Sequence, residues 1–583
     1  VTDIGRTADD GRFRQRGVEG HRAPLQWGRN GARAAAALPQ VGKRRGRRIA
    51  DLSCPRQPCP VERRRDVIGM DIRLTPEQSR ALAAIEAFLA DDSLDAFVLR
   101  GSAGTGKTTL IAHLVASLKA KNLSFALLAP TGRAARILGN KIQQIVGESE
   151  GEGSTIHRAI YSLKQVEVNE EAETANDPGV RFIYPLKRSE ASVSLFVIDE
   201  SSMVGDRTNR GDFVQFGSGR LLKDVVDITR ARRPGRENDT LTKLLFVGDP
   251  AQLPPVGEDV SPALSEAYLR QEYGLRVGSF DLATVMRQAK GSAILDRATE
   301  LRDALLAGRF NTFSLRPNGA DIVRIDAPRA IDAIIEGLQG KEANVAVVRS
   351  NASALDYNRS IRQRLWGDAD LPAQVGDTLL VNKNSTLYEL SNGDLVKVTQ
   401  VDAEPERVGV SLKGGHHVEL RFRGVTVAFR GARGDVVQTT CRILENLLDS
   451  PLRELAPLEQ RALLVHFRTR HPHLNPKSDE FRQAIVRDPY FNALQVKYGY
   501  AMTCHKAQGG EWGTVLVDFS ASGGARKADF FRWAYTAITR ASRTLIVVNP
   551  PDFTAYSDIG WSAPTSGMPT QDLPGQPELS ADP

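Results

Sequence analysis

The chain has 583 residues, 41% apolar and 25% charged, which at about 100–200 residues per unit asks for several packed domains; no run of about 18 apolar residues offers a membrane span. Four cysteines are too few for a disulfide framework and leave Cys54 and Cys59 without a second pair for a zinc site, a usage that fits a reducing cytoplasm. The net charge of +7 is no argument for a nucleic-acid partner, because residues 1–69 hold 16 Lys and Arg against 7 Asp and Glu and the rest is 61 basic against 63 acidic.

Taken in order, residues 1–69 show neither a secretory apolar core nor any periodicity around their Arg clusters. They are expected to be a disordered or spurious leader, with a basic nucleic-acid arm as the alternative. Met70 is the expected natural start, since Leu74-Thr75-Pro76-Glu77-Gln78 follows it as an ordinary helix opening. Short β-branched runs then alternate with helical stretches, as a parallel α/β sheet requires. Predicted strands are 96–99, 125–128, 195–198 and 244–247, then 345–348, 515–518 and 545–548. Two groups mean two lobes, 70–285 and 286–550. Within them, 163–192 reads as a β-hairpin, 374–435 as a small β-barrel with an Asn392-Gly393-Asp394 turn, and 440–490 as a charged helical insertion. Residues 551–583 are rich in Pro, Ser, Gly and Asp and are expected to be disordered.

The chemistry begins at Gly101-Ser102-Ala103-Gly104-Thr105-Gly106-Lys107-Thr108. This G-x-x-x-x-G-K-T run follows a predicted strand and opens a predicted helix at Thr109, the setting in which it cradles phosphates. Backbone N–H groups at Gly101, Gly104, Thr105, Gly106 and Thr109 would face a triphosphate, with Lys107 on its β/γ-phosphates and the Thr108 hydroxyl on Mg²⁺. A second strand ends in Asp199-Glu200, suited to a metal shell and to activating water respectively. A third runs into Gly248-Asp249-Pro250-Ala251-Gln252, where Gln252 is placed to sense a γ-phosphate.

These motifs, with Ala129-Pro130-Thr131-Gly132-Arg133, Ser154-Thr155-Ile156-His157, Met286-Arg287-Gln288, Thr503-Cys504-His505-Lys506-Ala507-Gln508-Gly509-Gly510-Glu511 and Tyr535-Thr536-Ala537-Ile538-Thr539-Arg540, resemble superfamily 1B helicases of the RecD/Dda-like branch over roughly residues 70–550. The resemblance implies two RecA-like P-loop lobes, with 163–192 as a pin hairpin and 374–435 as an SH3-like barrel. It implies that Gln78 reads adenine, although a lone glutamine there also fits a surface helix. Arg287 and Arg540 would be arginine fingers, and Gly509 and Glu511 would approach the nucleotide. Pro130, Thr131, Arg133, Thr155, His157, Thr503, His505 and Lys506 would contact the strand, with a structural role the alternative for both histidines. Phe182 and Tyr184 would either stack on the fork or be buried under the hairpin. Cys504 beside His505 makes no nucleophilic dyad, because neighbours on an extended chain point apart.

The activity so implied is ATP- and Mg²⁺-dependent movement along single-stranded DNA, 5′ to 3′, unwinding forked duplex. A strand-binding clamp or loader and an RNA-directed motor are the alternatives. Departures from the family are a longer, basic stretch between Met203 and Lys243 and three histidines, His466, His471 and His473, in the helical insertion.

Overall fold

A computed structural model of the chain describes residues 73–147, 153–162, 167–170, 180–187, 193–208, 214–230, 242–285, 292–340, 344–431, 435–476, 478–520 and 524–555. The leader, Met70, Arg287, the tail beyond 555 and, from the basic stretch between Met203 and Lys243, Arg232, Arg233 and Arg236 lie outside the described residues, as does the Phe182 side chain.

The first lobe is a six-stranded parallel sheet in the spatial order Ser154–Thr155, Phe125–Ala129, Leu195–Ile198, Lys243–Gly248, Ala96–Gly101, Val277–Leu282. Its central strands are buried along their length. That is why they read as unbroken apolar runs rather than alternating ones. Helices cover both faces: Pro76–Ala90, Lys107–Ala120 and Gly132–Val146 pack into one core layer, and Ile156–Ile160, Leu221–Arg230 and Glu266–Tyr273 into the other. The edge strand Val277–Leu282 is half exposed and carries Gly278, Ser279 and Asp281, so no apolar run announced it.

The second lobe is a five-stranded parallel sheet, ordered Ile322–Arg324, Ala541–Val548, Trp512–Asp518, Asn344–Val348, Ala501–Thr503. It starts at 322, earlier than the predicted strand near 345.

The insertion on this lobe corrects two expected boundaries. Strands Leu395–Val401, Thr378–Val381, Leu494–Tyr498, Val436–Leu444 and His417–Arg430 pair in that order, and Leu395–Val401 pairs back onto His417–Arg430, closing a ring. The barrel therefore does not end at 435, and 440–444 is strand, not helix. Residues 436–444 are largely β-branched and alternate in burial, the mark of a half-buried strand. Among its described residues the expected helical stretch holds the α-helices Pro457–Arg470 and Asp479–Arg487 and a short 3₁₀ helix, Glu445–Leu447.

The expected hairpin consists of Glu167–Glu170 paired antiparallel with Val180–Tyr184. A third strand, Val214–Phe216, joins it in parallel. That strand comes from the long stretch between Met203 and Lys243, so this departure serves in part to widen the hairpin into a sheet.

Candidate active site

Four parallel strands of the first lobe end at one edge of the sheet, and their C-terminal loops carry the chemistry. The strand Ala96–Gly101 turns through Gly104 and Gly106, at φ +84° and +79°, into the helix Lys107–Ala120. Both angles lie in the left-handed region that favours glycine. A Cβ at Gly106 would also collide with the side-chain amide of Gln78.

Gln78 explains that closeness. Its Oε1 accepts the Thr75 N–H at 3.0 Å and the Thr75 hydroxyl accepts the Gln78 N–H at 3.1 Å, closing a capping box. Its Nε2 donates to the Thr105 carbonyl at 3.0 Å. The residue is buried, so the surface-helix alternative is wrong: one amide both caps its helix and braces the phosphate loop.

The Lys107 ammonium donates to the Gly101 and Ser102 carbonyls at 2.8 and 3.1 Å. The Thr105 hydroxyl donates to the Ser102 carbonyl at 2.9 Å, while Thr108 and Thr109 stand half-buried in the first helical turn. No acidic residue sits in that turn to compete with an anion. The donor set fits a polyphosphate.

Asp199 follows the strand Leu195–Ile198 and accepts the Glu200 N–H on Oδ1 at 2.9 Å. Burial, and then the adjacent Glu200 carboxylate, raise the Asp199 carboxyl above the usual range, while Lys107 opposes them. Glu200 holds φ +51°, a left-handed conformation costly for a residue with a side chain. Two crowded carboxylates beside a lysine are what a divalent cation would relieve. Asp199 and Thr108 are the residues that fit it.

The second lobe reaches across to these loops. Tyr535, on the helix Ala528–Ile538, donates its hydroxyl to Asp249 Oδ2 at 2.6 Å, and its oxygen accepts the N–H of Ala103 in the phosphate loop at 3.0 Å. The Thr536 hydroxyl accepts the Leu253 N–H, and Gln508 Nε2 donates to the Leu253 carbonyl, both at 2.9 Å. Arg302 Nη1 donates to Ser102 Oγ at 3.3 Å. Gln252 is buried in this seam with Oε1 unpartnered among the described residues.

Arg540 is buried at the end of the same helix. Its Nε donates to the Thr536 carbonyl at 2.9 Å, Nη1 to the Gly510 carbonyl at 3.3 Å and Nη2 to the Thr539 hydroxyl at 3.0 Å. Gly509 lies against Ala134 of the first lobe, and Glu511 is exposed.

The expected strand contacts cluster at the ends of parallel strands. Thr131 caps the helix Gly132–Val146, its hydroxyl accepting the Ala134 N–H at 3.2 Å, with half-buried Pro130 before it. Thr155 caps the next helix by accepting the Arg158 N–H at 3.1 Å. Thr503 precedes the short helix Cys504–Ala507.

The His157 ring stands edge-on to Phe216 at 4.9 Å, and burial pushes its imidazole down to about 4, so it is neutral at physiological pH. Tyr184 stacks on Phe216 at 5.1 Å and touches the apolar cluster of the helical insertion. His505 is exposed. Burial, then Arg453 and Lys497, push the Lys506 amine down to about 8, and that amine donates to Asn392 Oδ1 at 2.5 Å. The Arg133 guanidinium lies 3.9 Å over the Trp512 ring, with burial pushing it down to about 10. Cys504 is buried with its sulfur 3.7 Å from the Trp533 carbonyl, and its thiol is pushed up to about 12. His466 is wedged between Phe422 and Tyr490, and no group of three potential metal ligands occurs among the described residues.

Residues 84–258 match the AAA domain family, and residues 498–548 match the UvrD-like helicase C-terminal domain. The chain is 25% identical over 467 residues to the ATP-dependent RecD2 DNA helicase of Deinococcus radiodurans, covering 77% of this chain and 47% of that protein. The chain is similar to RecD-like superfamily 1 helicases. It thus spans about half the length of RecD2, but 98% of an uncharacterised protein of Acanthamoeba polyphaga mimivirus, 22% identical over 517 residues. A solved structure of Pif1 helicases at forked double-stranded DNA shares 16% identity and a TM-score of 0.39, over 82% of this chain and 92% of that one.

In this RecD-like chain the two matched segments hold the two sides of the seam: Ala103, Asp249 and Leu253 in one, Gln508, Tyr535 and Thr536 in the other. The bonds that join them were not legible in the motifs. Tyr535 was part of a quoted segment, but nothing in sequence assigns its hydroxyl to two partners more than 280 positions away. Arg302 sits outside every motif, and no sequence signal marks it.

Proposed function

We propose that the chain is an ATP-driven motor that moves 5′ to 3′ along single-stranded DNA and separates forked duplex. The observation that carries this reading is the Tyr535 hydroxyl bonded to Asp249 of one strand-end loop and to Ala103 of the phosphate loop. A change in the nucleotide is thereby felt by the other lobe, which is what a motor requires.

Gly101 to Thr109 would hold the triphosphate, and Thr108 and Asp199 a Mg²⁺ ion, whose charge when bound offsets that on the transferred phosphoryl group. Glu200 would take the proton of the attacking water, Gln252 would orient it, and Arg287 and Arg540 would neutralise developing charge. Arg540 must exchange some of its present bonds to do so. Gln78 would meet the adenine edge beside the loop it braces.

Lobes 70–285 and 286–550 would then alternate their grip through Pro130, Thr131, Arg133, Thr155, His157, Thr503, His505 and Lys506. Small hydroxyls and N–H groups at strand ends suit phosphates and read no sequence. The 167–184 sheet would act as the pin, and the closed barrel, SH3-like in strand count, would cover the strand. With a step costing about 1.4 kcal/mol of stacking per base pair, a rigid wedge and one-way motion are enough.

ATP hydrolysis with and without oligodeoxythymidylate, and displacement of duplexes bearing a 5′ or a 3′ tail, test the reading together. Hydrolysis indifferent to DNA refutes the motor, unwinding from a 3′ tail refutes the polarity, and stronger stimulation by an RNA oligomer refutes the DNA preference.

A further inference from the structure

The barrel turn Ser391-Asn392-Gly393-Asp394 touches both lobes. On the first, a Cβ at Gly132 would overlap the Ser391 side chain, so turn and helix start are in direct contact. Arg136 Nη2 on the same helix pairs with Asp394 Oδ2 at 2.9 Å. On the second, the Lys506 amine donates to Asn392 Oδ1 at 2.5 Å. The contacted residues are the neighbours of Thr131, Arg133 and Thr503, which the proposed function gives to the strand.

Asp394 is unusual in its own right. Its side chain is fully buried, one oxygen accepts the Ser391 N–H and the Arg136 guanidinium, and Oδ1 has no partner among the described residues. Around it are like charges: Arg133 feels Arg540 and Arg136 as repulsive neighbours and Asp394 as the offsetting one, and Arg133 Nη1 is itself buried with no partner among the described residues. A lone carboxylate among arginines, delivered by a turn from another domain, occupies the chemistry of a phosphodiester. An anion there would satisfy the arginines better, since it presents more acceptor oxygens.

We propose that Asp394 stands in for a backbone phosphate in the strand-free protein, that the 391–394 turn is a latch over the strand path, and that Arg136, outside every motif, is a strand-binding residue freed when the latch opens. The inference rests on the strand-binding reading of this face. Entry of single-stranded DNA exchanges the Arg136–Asp394 and Lys506–Asn392 contacts for contacts to phosphate, and the turn swings away with the barrel.

The test uses the full chain and fluorescein-labelled oligodeoxythymidylate, with anisotropy read over a series of KCl concentrations. Wild type is measured first: if it does not bind, the strand-binding reading fails, and the latch with it. Given binding, D394N removes the charge that holds the latch. If the latch keeps about four-fifths of strand-free molecules shut, the apparent dissociation constant tightens about five-fold. R136Q breaks the same ion pair from the other side but loses a phosphate contact, so it binds more weakly, with a salt slope lower by about 0.7. Tighter binding by D394N together with weaker binding by R136Q supports the proposal, and the reverse pattern overturns it. An unchanged affinity in either, or a change of the same sign in both, overturns it. Where D394N fails to fold, N392A, which frees Lys506 alone, takes its place with the same expected tightening.

Discussion

Replacing Tyr535 by Phe removes one oxygen from the centre of the lobe seam. That oxygen donates to the Asp249 carboxylate at 2.6 Å and accepts from Ala103 N–H at 3.0 Å, in a side chain 1% exposed. A hydrogen bond to a charged group is worth about 1.5–3 kcal/mol, and a buried N–H left unpaired costs about 1 kcal/mol more. Both bonds cross the lobe seam, so a loss of about 2.5–4 kcal/mol falls on closure and lowers the ratio of closed to open molecules roughly 60- to 800-fold. Burial and Asp249 raise the Tyr535 hydroxyl well above its ordinary range, so it stays a donor and the effect is independent of pH. The assay is DNA-stimulated ATP hydrolysis with saturating oligodeoxythymidylate. Y535F is expected to lower kcat/KM for ATP at least about ten-fold, with D249N giving a loss that does not add to it. Hydrolysis within two-fold of wild type, in a variant whose circular dichroism is unchanged, refutes the reasoning.

K107A leaves the phosphate loop without its only lysine and is expected to lower ATP turnover about 100-fold or more, with strand binding measured by anisotropy retained. Lys506 titrates in the working range: its amine is charged below about 8 and neutral above, so affinity for oligodeoxythymidylate falls as pH rises through that value, and K506R flattens the profile. For folding the sign is reversed, because an amine lowered to about 8 from an unfolded value of about 10.4 makes stability rise between the two. His157, held neutral down to about 4, contributes no slope to strand binding near neutrality; a drop in affinity from pH 6 to pH 7 that H157N abolishes would show it charged. Deletion of residues 165–188 is expected to abolish displacement of a forked duplex and spare DNA-stimulated hydrolysis, a result that a loader would not give.

What the sequence disclosed, and what it hid, follows from the range of the forces involved. The strands 96–101, 125–129, 195–198 and 243–248 were legible because a parallel sheet buried on both faces must be apolar throughout, and the phosphate loop because its glycines answer a local backbone demand. The strand 436–444 was hidden by the charged helices that follow it, since composition averaged over 440–490 outweighed a nine-residue alternation. Gln78 shows the limit more sharply. Its capping box is a local signal written in Thr75 and Gln78, yet its further bond, to Thr105, depends on how two helices and a loop meet. The same amide, which taken alone also fits a surface helix in sequence, is a buried brace in the fold. Asp394 is the extreme case: as part of Asn-Gly-Asp it reads only as a turn, and its burial against Arg136, 258 positions away, has no local correlate. Motifs thus record groups whose chemistry is fixed by neighbours in the chain. Contacts that link one domain to another, which a motor needs as much as its phosphate loop, are set by packing, and here they are carried by Tyr535, Arg302 and Asp394, for none of which did spacing or residue type supply the partner.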